Sequence, residues 1–172
     1  MNHKIKNNMA IFVIFFILSG LLIIGNSGFS ILSGLRAYVG GEGLWAKGQK
    51  EATYQLINYI FTGEKKRYQL FVDSLKVPLG DKVARIELDK ADPFNEIIIQ
   101  GLRNGGNHPE DIPTMIFLYK YFKNTNHIKK AIEQWAIGDG LIQELLILGE
   151  QANRNIVNNK MSKEKAVQTL AS

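Results

Sequence analysis

The chain has 172 residues, a formal net charge of +5 and no cysteine. That length allows one domain with its own core and leaves little for a second. The lack of thiols excludes disulfides and thiolate-ligated metals and remains compatible with an oxidising compartment. The positive balance lies partly in the first residues, and Lys65-Lys66-Arg67 and Lys129-Lys130 are short groups of the kind that mark solvated helix faces, so no nucleic-acid partner is expected.

Residues 1–8 form a short basic leader containing His3, Lys4 and Lys6. Met9 to Ile24 is then almost unbroken apolar sequence with no Asp, Glu, Lys or Arg. A bilayer core of about 30 Å needs roughly 20 helical residues, so a span is complete if the helix continues through the uncharged stretch from Asn26 to Leu32. The expected anchor is therefore 9–32. The next basic residue is Arg36, which by the positive-inside rule leaves the amino terminus in the cytoplasm and the rest of the chain, a bundle over 33–160, on the far side of one membrane. A cleaved secretory signal uses the same parts. Against it, no A-x-A-like site follows Ile24, and the apolar pattern passes through Phe29, Ile31, Leu32 and Leu35 without a break. A buried core helix is the third reading, opposed by apolar residues on every face at the extreme terminus.

Beyond the anchor the dominant period is helical. Trp45, Ala52, Leu56, Tyr59 and Ile60 predict an amphipathic helix continuous with the span and ended by Gly63 as a left-handed cap. Gly40, Gly41 and Gly43 interrupt it, predicting a hinge or a close approach by another helix or a ligand. Tyr68, Phe71, Val72 and Leu75 predict a shorter helix that stops before Pro78-Leu79-Gly80. Val83, Ile86 and Leu88 then predict another, up to Asp92-Pro93, where Asp92 caps and proline opens the next. Phe94, Ile97, Ile98 and Leu102 make that helix's apolar face, closed by Asn104-Gly105-Gly106-Asn107. Ile112, Met115, Ile116, Leu118, Tyr119 and Phe122 predict a strongly apolar helix ending near Asn124.

The last long element is the most regular, with Ile128, Ile132, Trp135, Ile142, Leu145, Ala152 and Ile156 on one seam together with Gly138 and Gly149. The expected fold is all-α: a transmembrane helix continuing into an up-and-down bundle, with the first and last long helices antiparallel and shorter ones between them. Ser162 reads as the cap of a further helix over 161–172, expected to be truncated or frayed.

Two clusters carry polar groups that could form a site. Asn107-His108-Pro109-Glu110-Asp111 places an imidazole and two carboxylates at a helix start. Capping accounts for most of it, because Pro109 suits a first turn and Glu110 and Asp111 complement the helix dipole. His108 has no HxxxH or HxH partner, His3 lies in the leader and His127 beside another helix start, so no metal is expected. Around the triple glycine lie Arg36, Tyr38, Glu42, Trp45 and Lys47. Arg36 and Tyr38 suit a membrane interface. The alternative is a pocket in which glycines admit close backbones, Trp45 stacks, and Glu42, Lys47 or Lys50 orients a small polar ligand. Trp135 is placed to close the same core from the last helix. No G-x-S-x-G, P-loop, H-E-x-x-H or Rossmann glycine pattern occurs, so no catalysis and no cofactor are expected. A glycosidase-like acid pair of Glu42 with Glu110 or Asp111 is the remote enzymatic alternative.

The strings RAYVGGEGLWAKGQKEATYQL (Arg36 to Leu56) and GLRNGGNHPEDIPTMIFLYKYF (Gly101 to Phe122), with PLGD between them at Pro78 to Asp81, resemble the amino-terminal extracytoplasmic sensor region of bacterial transmembrane signalling proteins. In those proteins an all-helical input domain between two spans feeds sensor histidine kinases or GGDEF and EAL cyclic-di-GMP enzymes. The chain carries no second span, HAMP-like linker, phosphoacceptor histidine region or GGDEF or EAL motif. The resemblance thus implies the input half of a receptor. It would sit in the inner membrane with its domain in the periplasm, bind a small molecule or a periplasmic protein, and dimerise in the full receptor. The alternative is a stand-alone membrane-anchored interaction or regulatory protein.

Overall fold

The computed structural model describes residues 3–171, with side-chain surroundings for residues 8, 9 and 11–159. Part of the basic leader, and the side chains from residue 160 onward, lie outside the described residues. Among the described residues there are five helices and no strand: α1 His3–Thr62, α2 Lys65–Leu88, α3 Asn95–Asn104, α4 Ile112–Phe122 and α5 Asn126–Ala171. The protein is all-α, as expected.

Helix α1 runs for 60 residues, about 90 Å at 1.5 Å per residue. It continues through the polar stretch after Ile24, where Ser30 Oγ donates to the Asn26 carbonyl at 3.0 Å. Its apolar stretch is exposed, Phe16 at 82%, and none of the most apolar window is buried. Each large apolar side chain left in water forfeits ~2 kcal/mol, so this segment is not a core helix. Among the described residues α1 is the one helix long and apolar enough to cross a membrane. Of the hinge or close approach expected at the triple glycine, the structure shows the second: the helix is continuous there, Gly40 and Gly43 face open space, and Gly41 alone of the three is approached closely, by Asn107. Gly63 ends the helix as expected, with φ 64° and its amide donating to the Tyr59 carbonyl at 2.7 Å.

Helix α2 corrects the expected break at Pro78, because it crosses the whole bundle with Pro78 inside it. Proline removes one ladder bond, the one to the Ser74 carbonyl. Pro78 is buried, and a Cβ on Gly48 of α1 would stand 2.9 Å from that same carbonyl oxygen, so packing offsets the local loss. Nor does Asp92 cap α3. The helix begins one residue after Phe94, whose amide donates to Glu87 Oε1 at 2.9 Å. Val83 and Ile86, expected on an apolar face, are nearly half exposed.

The long helices are ordered by cross-helix contacts. Arg67 meets Gln55, and Ser74 lies by Gly48, so α2 runs antiparallel to α1. Phe71 packs on Gly149 and Arg85 bonds Asp139, so α5 runs antiparallel to α2. Tyr38 meets Trp135, Trp45 meets Gly138 and Tyr59 meets Asn153. Helices α1 and α5 are therefore parallel, which corrects the expected antiparallel pair. Once α2 is a full crossing rather than two short pieces, it makes the return journey and α5 must rise again. The helix expected to begin at Ser162 is likewise part of α5, which is unbroken through Ala171.

Two apolar lobes make the core. One gathers Ala37, Ala84, Leu88, Ile98, Leu102, Ile112, Met115 and Tyr119 at the end nearer the apolar stretch of α1, and the other Ala52, Leu56, Tyr59, Phe71, Leu75 and Ile142 at the far end.

Candidate functional site

A cavity of about 470 Å³ lies where the two lobes meet, between α1, α4 and α5 with α2 beneath. Its first residue on α1 is Leu35, roughly 16 Å along the helix from Ile24. Helical spacing explains the α1 wall, since Leu35, Tyr38, Val39, Glu42 and Trp45 fall on one face at steps of three and four. From α5, Ile128, Ile132, Trp135 and Gly138 do the same. Gly138 lies close against Trp45: a Cβ there would stand 3.1 Å from the indole ring, tighter than ordinary contact.

The expected site residues separate. Tyr38, Glu42, Trp45, Asn107 and Trp135 all line the cavity, so the triple-glycine segment and the loop before α4 come together although far apart in sequence. Gly41 makes this possible, because a side chain there would lie 2.8 Å from Asn107 Oδ1. Arg36 and Asp111 pair at 2.7 Å outside the cavity lining, with Arg36 72% exposed. Lys47 is exposed and His108 turns to its own loop, where Nδ1 accepts from the Glu110 amide at 3.4 Å. The capping expected of this loop is also revised. Asp111 sits at the cap of α4 without a side-chain cap bond, its carboxylate being taken by Arg36, and Pro113 rather than Pro109 occupies the first turn.

Tyr38 and Trp135 meet edge to face with centroids 6.2 Å apart, a favoured aromatic geometry. The Tyr38 hydroxyl donates to the Met115 carbonyl at 3.2 Å, and burial, then Tyr119 and Asp81, push its phenol above the ordinary range, so it remains a neutral donor. Trp45 Nε1 is buried and finds no acceptor among the described residues, an arrangement rare enough in folded proteins to need a reason.

Asp81, the last residue of the PLGD string, forms the cavity's polar floor. It is 4% exposed and accepts one hydrogen bond, from Asn107 Nδ2 at 3.0 Å. Burial raises its pKa to about 7, the bond from Asn107 opposes the rise, and Asp139 adds to it. Gly105 must be glycine because a Cβ there would overlap Asp81 Oδ1. Asp139, 2% exposed, lies on α5 with Oδ2 on Arg85 Nε at 2.7 Å and Oδ1 without a partner. Burial raises its pKa too, against Arg85 and Lys82. Both carboxylates lie on seams visible in the sequence: Asp81 three residues after Pro78 and three before Ala84, Asp139 four after Trp135 and three before Ile142. An acid at a seam position was the available signal.

The lining contains Glu42 and Asp81 and no Lys, Arg or His. Among the described residues no group of three or more His, Asp or Glu side chains is arranged to hold a metal ion. Compared with protein-family models, curated proteins and solved structures, the chain matches none of them.

Proposed function

We propose that this chain is the membrane-anchored, extracytoplasmic sensory domain of a bacterial signalling protein, non-catalytic in itself, which binds its ligand in the cavity between α1, α4 and α5 and transmits occupancy along α1. The observation that carries the reading is continuity. The residues that line the cavity from Leu35 to Trp45 belong to the same uninterrupted helix as the apolar stretch. A ligand bound there touches α1 and α5 together, and wherever it favours one packing of the pair it shifts the helix that enters the membrane. Helix α5 runs away from the anchor, so among the described residues α1 is the path by which a shift reaches the bilayer. Gly41, against Asn107, and Gly138, against Trp45, are small residues in the cavity wall across which such a shift slides. The residues resembling bacterial input domains, Arg36 to Leu56 and Gly101 to Phe122, supply most of the cavity's α1 wall together with Asn107 and its α4 wall.

The test has two arms on the full chain, which lacks native cysteines. A single cysteine at exposed Lys47 is expected to react with a membrane-impermeant maleimide in intact cells; protection until lysis overturns the placement. Spin labels at Phe61 and Val157, near the far ends of the paired α1 and α5, are expected to change separation when Ala131→Phe fills the cavity from α5. An unchanged distance distribution overturns the coupling.

A stand-alone interaction protein is the second reading, favoured by one feature of α5. Ile137, Leu141 and Leu148, at steps of four and seven, form an exposed apolar line, the pattern by which helices pair. Concentration-independent monomers in detergent would remove it.

A further inference from the structure

We propose that the cavity takes an organic ammonium group carried on an apolar body, the cation seated beside Asp81 and the body held among Tyr38, Trp45 and Trp135. This inference rests on the sensory reading and names the ligand class of that site.

In a chain of net charge +5, the cavity is lined by two acids and no base. Arg85, on the same helix as Asp81, is committed to Asp139, and Lys82 to Gln143 at 3.1 Å. Asp81 is left with the neutral amide of Asn107 as its single hydrogen-bond partner among the described residues. A buried carboxylate without a cation is costly unless it is neutral or a cation arrives. Tyrosine and tryptophan faces attract ammonium ions, and more strongly when water is excluded; Tyr38 and Trp45 contribute such rings from α1 and Trp135 from α5. The volume of about 470 Å³ lies within the range of small-molecule sites, and the mostly apolar lining asks for more than a bare ion. The unpartnered indole N–H of Trp45 suits a ligand bearing an acceptor as well as the cation. The same ammonium chemistry is offered by a soluble amine or by an aminophospholipid headgroup, since the cavity opens close to the anchor.

The experiment uses full-length protein in a neutral detergent at pH 8, titrated calorimetrically with 4-phenylbutylamine, 4-phenylbutanol and 4-phenylbutyrate against empty micelles. The amine is expected to bind saturably and at least tenfold more tightly than the alcohol, with the carboxylate weakest. Asp81→Asn should bring the amine down to the affinity of the alcohol while leaving the alcohol unchanged. Glu42→Gln, at an exposed lining position, should weaken the amine a few-fold and serves if the Asp81 variant does not fold. Equal binding of amine and alcohol, no saturable amine binding, or amine affinity undiminished in both variants overturns the proposal. Should the alcohol or carboxylate bind as tightly as the amine, the ligand class falls while the cavity remains a binding site; the sensory reading falls separately, on the spin-label distances. Repeating the amine titration in nanodiscs with and without phosphatidylethanolamine assigns the source: competition by that lipid supports a headgroup, and its absence a soluble amine.

Discussion

Arg85 Nε and Asp139 Oδ2 lie 2.7 Å apart and join α2 to α5 across 54 residues of sequence. With Lys82–Gln143 and Asn107–Asp81 they form a polar layer between two apolar lobes. Such a layer adds little net stability, because desolvation cancels much of the attraction, but it penalises any register that separates the partners.

Breaking that pair from one side strands a buried charge. Arg85→Met is expected to destabilise the fold by ~3 kcal/mol, whereas Arg85→Met with Asp139→Leu should recover most of the loss. Urea denaturation of the two variants and the native chain decides it, and equal losses would show that Arg85 acts through packing alone.

Asp81 sets a pH dependence whose sign follows from its raised pKa. Its folded value of about 7 exceeds the ordinary 3.8, so the folded state holds a proton that the unfolded state has already lost. The stability it contributes is complete below about pH 4 and declines as pH rises through 7. Asp139, also raised, acts in the same direction, while Glu87, lowered first by Lys90 and then by the Phe94 amide, acts in the opposite one. Comparing Asp81→Asn with the native chain isolates the first effect. The variant should be the more stable at pH 8, on the order of 3 kcal/mol, and the advantage should vanish near pH 4. A constant difference across that range would be the contrary result.

Glycines separate into those that packing needs and those it does not. A Cβ on Gly101 would stand 2.8 Å from the Ala84 amide nitrogen and 2.9 Å from the Gly80 carbonyl oxygen, both backbone atoms of α2. Gly101→Ala is therefore expected to cost about 1–3 kcal/mol. Gly40 has nothing within 4 Å, so Gly40→Ala should stabilise the helix by about 0.5–1 kcal/mol. Thermal melts of both proteins test the contrast.

Phe16 stands inside the exposed apolar stretch of α1. Phe16→Arg should raise the cost of membrane insertion by ~3 kcal/mol, lowering the inserted fraction in a glycosylation-reporter assay. An unaltered fraction would show that this segment is not held in the bilayer.

Much of the fold was legible because it is local. The apolar stretch, the cap at Gly63, the end of α3 near Asn104, the limits of α4 and the seam of α5 each depend on neighbours a few positions away. Pro78 misled for the same reason: a local rule makes proline a helix breaker, and only Gly48, far back on α1, shows what covers the carbonyl that proline leaves unpaired. The site was half legible. Tyr38, Trp45 and Trp135 could be picked out as aromatic residues near glycines, whereas Asp81 and Asp139 carry no local mark beyond falling on an apolar seam.

Periodicity and composition, read along the chain, were sufficient for an all-helical protein with one membrane-crossing candidate, since a helix's apolar face repeats every 3.6 residues whatever it packs against. Direction and partnership needed the folded molecule. A seam does not say which helix will cover it or which way that helix runs, so the parallel course of α1 and α5 emerged only from the pairs Tyr38–Trp135, Trp45–Gly138 and Tyr59–Asn153. The character of Asp81 likewise came from through-space neighbours, because a carboxylate's proton affinity depends on water excluded and charges nearby, and both are properties of the assembled bundle.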